Sequence, residues 1–189
     1  MADEPSVLER HRRALAAFDA VVDFAAGDPD LWARSSPCDG WTARDVVDHV
    51  TQIHTVLAHR LGEEVEAPKP TEADEIAGAW RAARDAALRA LTHPGALDKV
   101  IDVPNGGEMA AGRFVNVMTT DVLAHTWDLA RAVGADERLD PELVERAHKA
   151  AIPMEELIRS SGMFGPSVEI DDDADPQSKM LAFFGRDPR

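Results

Sequence analysis

The stretch Asp121–Gly134, DVLAHTWDLARAVG, decides how the chain is read. With the residues just before it, Val115, Met118, Val122, Leu129 and Val133 recur at helical spacing as one apolar stripe, which Gly134 ends. Four residues advance a helix by about 400°, so Asp121 and His125 leave one face about 6 Å apart along the axis. That spacing suits two ligands of one metal ion. It equally suits a local hydrogen bond, so a metal site here needs a third ligand from elsewhere in the chain. Asp128 continues the row three residues later. It serves either as an acceptor that orients the imidazole or as a plain acid facing solvent. Trp127 is expected to pack against a neighbouring helix.

The third ligand is sought on a second amphipathic helix, over about 43–61. Val46, Val50, Ile53 and Leu57 form its stripe. Thr42 and Asp45 have the spacing of a capping box, and Trp41 is placed to staple onto Val46. His49 and His54 flank this stripe on opposite sides, each within about 80° of its centre, whereas His59 points away. Periodicity leaves both His49 and His54 open, each also readable as a hydrogen-bonded packing residue. The loop before this helix, Ser35–Thr42, holds the chain's one cysteine, Cys38. No base is adjacent in sequence to activate it, so it is read as a small, part-buried thiol.

Four more helices are expected. The first starts at Ser6-Val7-Leu8-Glu9 and stops at Gly27-Asp28-Pro29-Asp30, with Leu15, Phe18, Val21, Val22 and Phe24 among its apolar residues. His11, flanked by Arg12 and Arg13, is expected at the surface, as is His148 beside Lys149. A third helix opens at Thr71-Glu72-Ala73-Asp74, contains Trp80, and ends at His93-Pro94-Gly95, where His93 complements the helix dipole. The 97–103 segment is a candidate short strand before the turn Pro104-Asn105-Gly106-Gly107. A fifth helix begins at Asp140-Pro141 and breaks at Pro153. The 162–189 tail is extended and acidic, with solvated Asp171-Asp172-Asp173, until Asp175-Pro176 starts a short closing helix that must dock through Met180, Leu181, Phe183 and Phe184.

Composition narrows the function classes. At 189 residues and 44% hydrophobic, the chain forms one domain over 1–189. Aromatic content of 5%, with no tyrosine, favours an all-α fold. Twenty basic against 35 acidic residues leave a formal charge of −15, which disfavours nucleic acid and anionic membrane surfaces as partners. One cysteine, no signal-like start and no apolar run of about 18 residues fit a cytoplasmic protein.

The segment Pro37-Cys38-Asp39-Gly40-Trp41-Thr42-Ala43-Arg44-Asp45 with His49, the Asp121–Ala130 run, Phe164-Gly165-Pro166 and Leu181–Pro188 together resemble the actinobacterial metal-binding proteins of the DinB-like superfamily. These are similar to the N-terminal domain of mycothiol-dependent maleylpyruvate isomerase. The resemblance implies a DinB-like four-helix bundle, here with an extra C-terminal helix and a short tail. It also implies a divalent metal held by His49, Asp121 and His125; zinc or nickel is the ion expected first, and Asp128 stays a candidate orienting partner. Mycothiol or a related small thiol is the implied cosubstrate and an electrophile the implied substrate. Two departures stand out: Asp121 replaces a glutamate of the isomerase, and the isomerase carries a separate C-terminal domain. Maleylpyruvate isomerisation itself is therefore not the expected reaction.

The resulting expectation is a metal-dependent thiol S-transferase or isomerase. Its rivals are a non-catalytic metal- or ligand-binding helical module and a metal-free bundle in which Asp121 and His125 pair internally. A homodimer is compatible with all three.

Overall fold

The computed structural model describes residues 4–65, 70, 72–103, 107–160 and 164–189. Four long helices form the body: α1 (Val7–Ala26), α2 (Ala43–Leu61), α3 (Ile76–Thr92) and α4 (Ala111–Val133). Each starts and stops where local chemistry dictates. Ser6 accepts from the Glu9 amide at 3.1 Å. Thr42 and Asp45 close a full capping box at the head of α2, and Gly62, at φ 100°, takes the left-handed cap at its foot. At α3, Glu72 and Glu75 make the box over a 3₁₀ turn, Ala73–Glu75. The expected Thr71 cap and the turn residues Pro104, Asn105 and Gly106 lie outside the described residues.

The main pairings are α1 with α4 and α3, and α2 with α3 and α4, so α1 and α2 stand diagonally across the bundle. Between them lies a core of Leu15, Phe18, Val22, Val46, Val50 and Trp80, with Val122, Leu129 and Ala130 of α4. Phe18 meets Trp80 edge-on at 5.0 Å, and the Trp80 indole donates to Asp19 at 2.6 Å. A second cluster at the other end joins Leu57, Leu91, Phe114, Val115 and Met118 to Ile101. Ile101 belongs to the expected short strand, β1 (Val100–Asp102), which pairs antiparallel with β2 (Glu108–Ala110) and leads directly into α4.

Three smaller helices complete the chain: α5 (Pro141–Ala151), capped by Asp140; α6 (Glu155–Ser160), after a 3₁₀ turn at Pro153; and α7 (Pro176–Phe183), capped by Asp175. α7 packs on α5, and α5 on α4. Together with the last residues they cover the side of α4 that the four-helix core leaves open, so residues 122–130 are buried without interruption. An apolar stripe alone would bury only about half of those residues.

Two surface assignments, His11 and His148, and one apolar assignment, Phe24, are corrected. His11 is fully buried, because α1 turns it toward α2 and α4 rather than to the Arg12–Arg13 side. Phe24 is 52% exposed, since it sits past the edge of the α1 stripe. His148 is half-buried, its ring edge-on to Phe183 of the docked α7. Asp171, Asp172 and Asp173 are exposed as expected. Among the described residues, no helix is long and apolar enough to cross a membrane.

Candidate metal centre

α2 presents His49 one turn beyond its capping box, and α4 presents Asp121 and His125 one turn apart. The bundle brings the three together. His49 Nε2 is 3.2 Å from Asp121 Oδ2, and His125 Nε2 is 3.5 Å from Asp121 Oδ1. The two imidazoles meet edge to face, centroids 4.7 Å apart. His125 and Asp121 are largely covered, while a third of the His49 side chain remains exposed and forms the open edge.

His54, the other histidine left open by periodicity, goes elsewhere. It is fully buried and its Nε2 stands 3.3 Å from His11 Nε2, with Thr119 3.0 Å from His11 Nδ1. Its own Nδ1 donates to the Val50 carbonyl at 2.7 Å. Desolvation pushes the His54 imidazole down to about 4 and holds His11 well below its ordinary value, with the neighbouring His54 adding repulsion. This pair is a buried polar seam of the core.

The wall of the centre is Trp41, whose ring stacks on His125 at 5.7 Å and 13° and tilts against His49 at 5.3 Å. Its loop is fixed by the Ser35–Thr42 bridge and by the Ser36 amide donating to the Trp41 carbonyl at 2.9 Å. Sequence spacing assigned Trp41 only a staple; its contact with both imidazoles is a tertiary feature. The same loop holds Cys38 part-buried, as expected, and adds a partner for it. Its thiol donates to Asp128 Oδ2 at 3.2 Å, a base 90 residues away in sequence that no local pattern reveals.

Asp128 is completely buried, which settles its two alternatives against the solvent-facing acid. Its Oδ2 lies 2.9 Å from His125 Nδ1, although off the ring's N–H direction, so Nδ1 makes no full hydrogen bond. Arg186 grips the same carboxylate, Nε to Oδ1 at 3.2 Å and Nη2 to Oδ2 at 2.8 Å. Burial alone would raise the Asp128 carboxyl, but His125 and Arg186 lower it to about 2. Burial would likewise raise Asp121, yet the two histidines drive it far below the usual carboxylate range. For His125 the balance is reversed: burial depresses it, and the Asp121 charge, helped by Asp128, outweighs this and holds it well above its ordinary value.

Two sets of donor atoms thus lie within 4.8 Å of one another, His49–Asp121–His125 and Cys38–His125–Asp128, sharing one imidazole. Charge separates them. In the second set the carboxylate is already neutralised by a guanidinium, which would repel an incoming cation. In the first, donors about 2.1 Å from an ion at tetrahedral or octahedral angles would stand about 2.9–3.4 Å apart. The 3.2 Å from His49 to one Asp121 oxygen lies in that range, the 3.5 Å from His125 to the other oxygen lies just beyond it, and all three donors are within 4.8 Å of one another. The first set therefore fits a divalent ion; the second fits a support behind it.

Comparison with known proteins agrees with this architecture. The family model described as "Mycothiol maleylpyruvate isomerase N-terminal domain" matches residues 11–130. Two uncharacterized proteins of Mycobacterium tuberculosis, from strains CDC 1551 / Oshkosh and H37Rv, are each 32% identical over 184 residues, covering 96% of this chain and 98% of theirs. A crystal structure of mycothiol-dependent maleylpyruvate isomerase with a histidine-to-alanine substitution superposes with a TM-score of 0.62 at 17% identity, over 77% of this chain and 68% of that one. At that identity the superposition speaks for the fold. On the family match and the fold together, the chain belongs to the mycothiol maleylpyruvate isomerase N-terminal domain family.

Proposed function

We propose that this chain is a divalent-metal-binding domain that serves a small thiol of the mycothiol kind in S-transfer or isomerisation at an electrophile. His49, Asp121 and His125 are the proposed ligands, with zinc or nickel the expected ion. One observation carries the proposal: three metal-competent side chains from two helices converge at ligand spacing, beside an opening at His49. The family supplies the thiol, since its description names mycothiol.

When bound, an ion with three protein ligands offers an open coordination position and lowers the pKa of a thiol that binds there. The chain's own residues do the rest. Asp121 supplies the negative charge that offsets the cation. Trp41 shields the imidazoles from water on one side and presents an aromatic face to a bound molecule. Asp128 places a carboxylate 2.9 Å from His125 Nδ1, which favours a proton on that nitrogen and leaves Nε2 for the ion.

Metal analysis of untagged protein, followed by calorimetry with Zn²⁺ and Ni²⁺ on the wild type and His125→Ala, tests the ligands. Unchanged affinity in the variant would end the assignment. Turnover is tested by incubating loaded protein with mycothiol and a panel of electrophiles.

A second reading has its own support. Asp121 already contacts both histidines, so the three residues can satisfy one another without an ion. That favours a metal-free bundle, which takes up no ion under any loading condition and keeps its melting temperature on chelation; a sharp fall on chelation would instead mark a structural metal.

A further inference from the structure

The tail motif Phe183-Phe184-Gly185-Arg186 brings Arg186 to Asp128, and the fold takes care over its placement. Gly185 sits at φ +81°, and a Cβ there would come within 3.1–3.2 Å of the Gly165–Pro166 backbone. Only glycine allows both the turn and the close approach. The Phe164 and Phe184 rings meet at 4.9 Å on either side of this contact, and the Arg186 amide donates to Leu181 O at 2.9 Å. The result drives Arg186 inward, leaving its side chain only 10% exposed.

Its guanidinium spends its donors on the Asp128 carboxylate, the Phe184 carbonyl at 2.9 Å and, more distantly, the Cys38 sulfur at 3.7 Å. A buried ion pair of this kind is a weak source of net stability, because desolvation offsets most of the attraction. What it does supply is geometry. A two-point grip fixes the plane of the carboxylate. The contact between Oδ2 and His125 Nδ1 is too misaligned to do so itself. The carboxylate is thus held by the two-point grip of the arginine, with the Cys38 thiol donating to Oδ2 at 3.2 Å, rather than by the imidazole.

We propose that Arg186 is a positioning residue of the metal centre: it holds Asp128 against His125 Nδ1 and so keeps Nε2 turned toward Asp121 and His49. The inference rests on the ligand assignment above. It makes the chain's final residues a working part of a site whose ligands lie on α2 and α4.

Co²⁺ titration of the full chain, read by visible absorption, tests it on the wild type, Arg186→Ala, Arg186→Lys, Asp128→Asn and the pair Asp128→Asn/Arg186→Met. Arg186→Ala is expected to weaken Co²⁺ binding by roughly 10–100-fold and to alter the spectrum, as loss of an outer partner does. Arg186→Lys recovers part of the affinity. The pair variant shows the same loss as Asp128→Asn alone, since both act through one contact. If Arg186→Ala fails to fold by circular dichroism, Arg186→Lys decides, because it keeps a cation beside Asp128 while losing the two-point grip. Wild-type affinity and spectrum in the folded Arg186 variants, or tighter binding, would overturn the positioning role while the ligand assignment stands. A wild type that takes up no Co²⁺ overturns both.

Discussion

His49 and Asp121 are 72 residues apart in the chain, yet His49 Nε2 and Asp121 Oδ2 stand 3.2 Å from each other across the α2–α4 interface. His54, only five residues from His49, makes no such contact and faces His11 instead.

The two histidines of α2 therefore differ in what their loss does. His49→Gln is expected to cost more metal affinity than the roughly 10–100-fold typical of an outer partner, with little change in stability. His54→Gln leaves metal affinity within a few-fold and lowers the melting temperature, since it opens a fully buried contact. Parallel calorimetry and thermal denaturation check both.

At the proposed site, metal affinity is expected to rise with pH. In the ion-free protein His125 is held above its ordinary value, burial opposing but the Asp121 charge prevailing, so it carries a proton that an ion must displace. Log affinity should climb by about one per pH unit until pH passes the His125 value. Zn²⁺ calorimetry in buffers of different ionisation enthalpy reads the released proton directly. A flat profile would contradict the role of His125.

Acid stability has a separate source. Desolvation depresses His54 to about 4 and His11 well below 6.5, so the unfolded chain binds more protons than the native one in that window. Stability contributed by the pair is fully present above about pH 6.5 and is lost as pH falls toward about 4, by about 3 kcal/mol for His54. The depressed Asp128 acts only below its ordinary carboxylate value of 3.8, so the two losses separate on the pH axis. Chemical denaturation from pH 7 to about 4 should show the slope in the wild type and a shallower one in His54→Leu.

Thr42→Ala removes one half of the capping box at the head of α2. About 1 kcal/mol of stability should go, a fall of roughly 2–4 °C in melting temperature for a chain of this size. Thr42 touches no ligand, so Co²⁺ affinity should move by less than a few-fold. A large loss would show that His49 depends on the helix terminus.

Much of this architecture was legible in the residues because it is local. Helical periodicity, the Thr42–Asp45 box, the Asp140 and Asp175 caps and the break at Pro153 are all written within a turn or two of sequence, and the structure places each as expected. The same holds for Asp121 and His125, whose common face follows from helix geometry alone. His11 was misplaced for the converse reason: charged neighbours describe a helix's surroundings only on their own side.

What local pattern cannot carry is which helix faces meet. The choice between His49 and His54, both at stripe edges, was made by the packing of α2 on α4. The burial of Asp128 was decided by α5, α7 and the tail folding over the far side of α4, which turns an ambiguous acid into the buried anchor of Arg186. The sequence by itself determined the helices, their ends and the Asp121–His125 pair, because those depend on neighbours within about four residues. The contacts of His49, Trp41, Cys38 and Arg186 arise only when distant segments are packed together, and only the tertiary structure decided them.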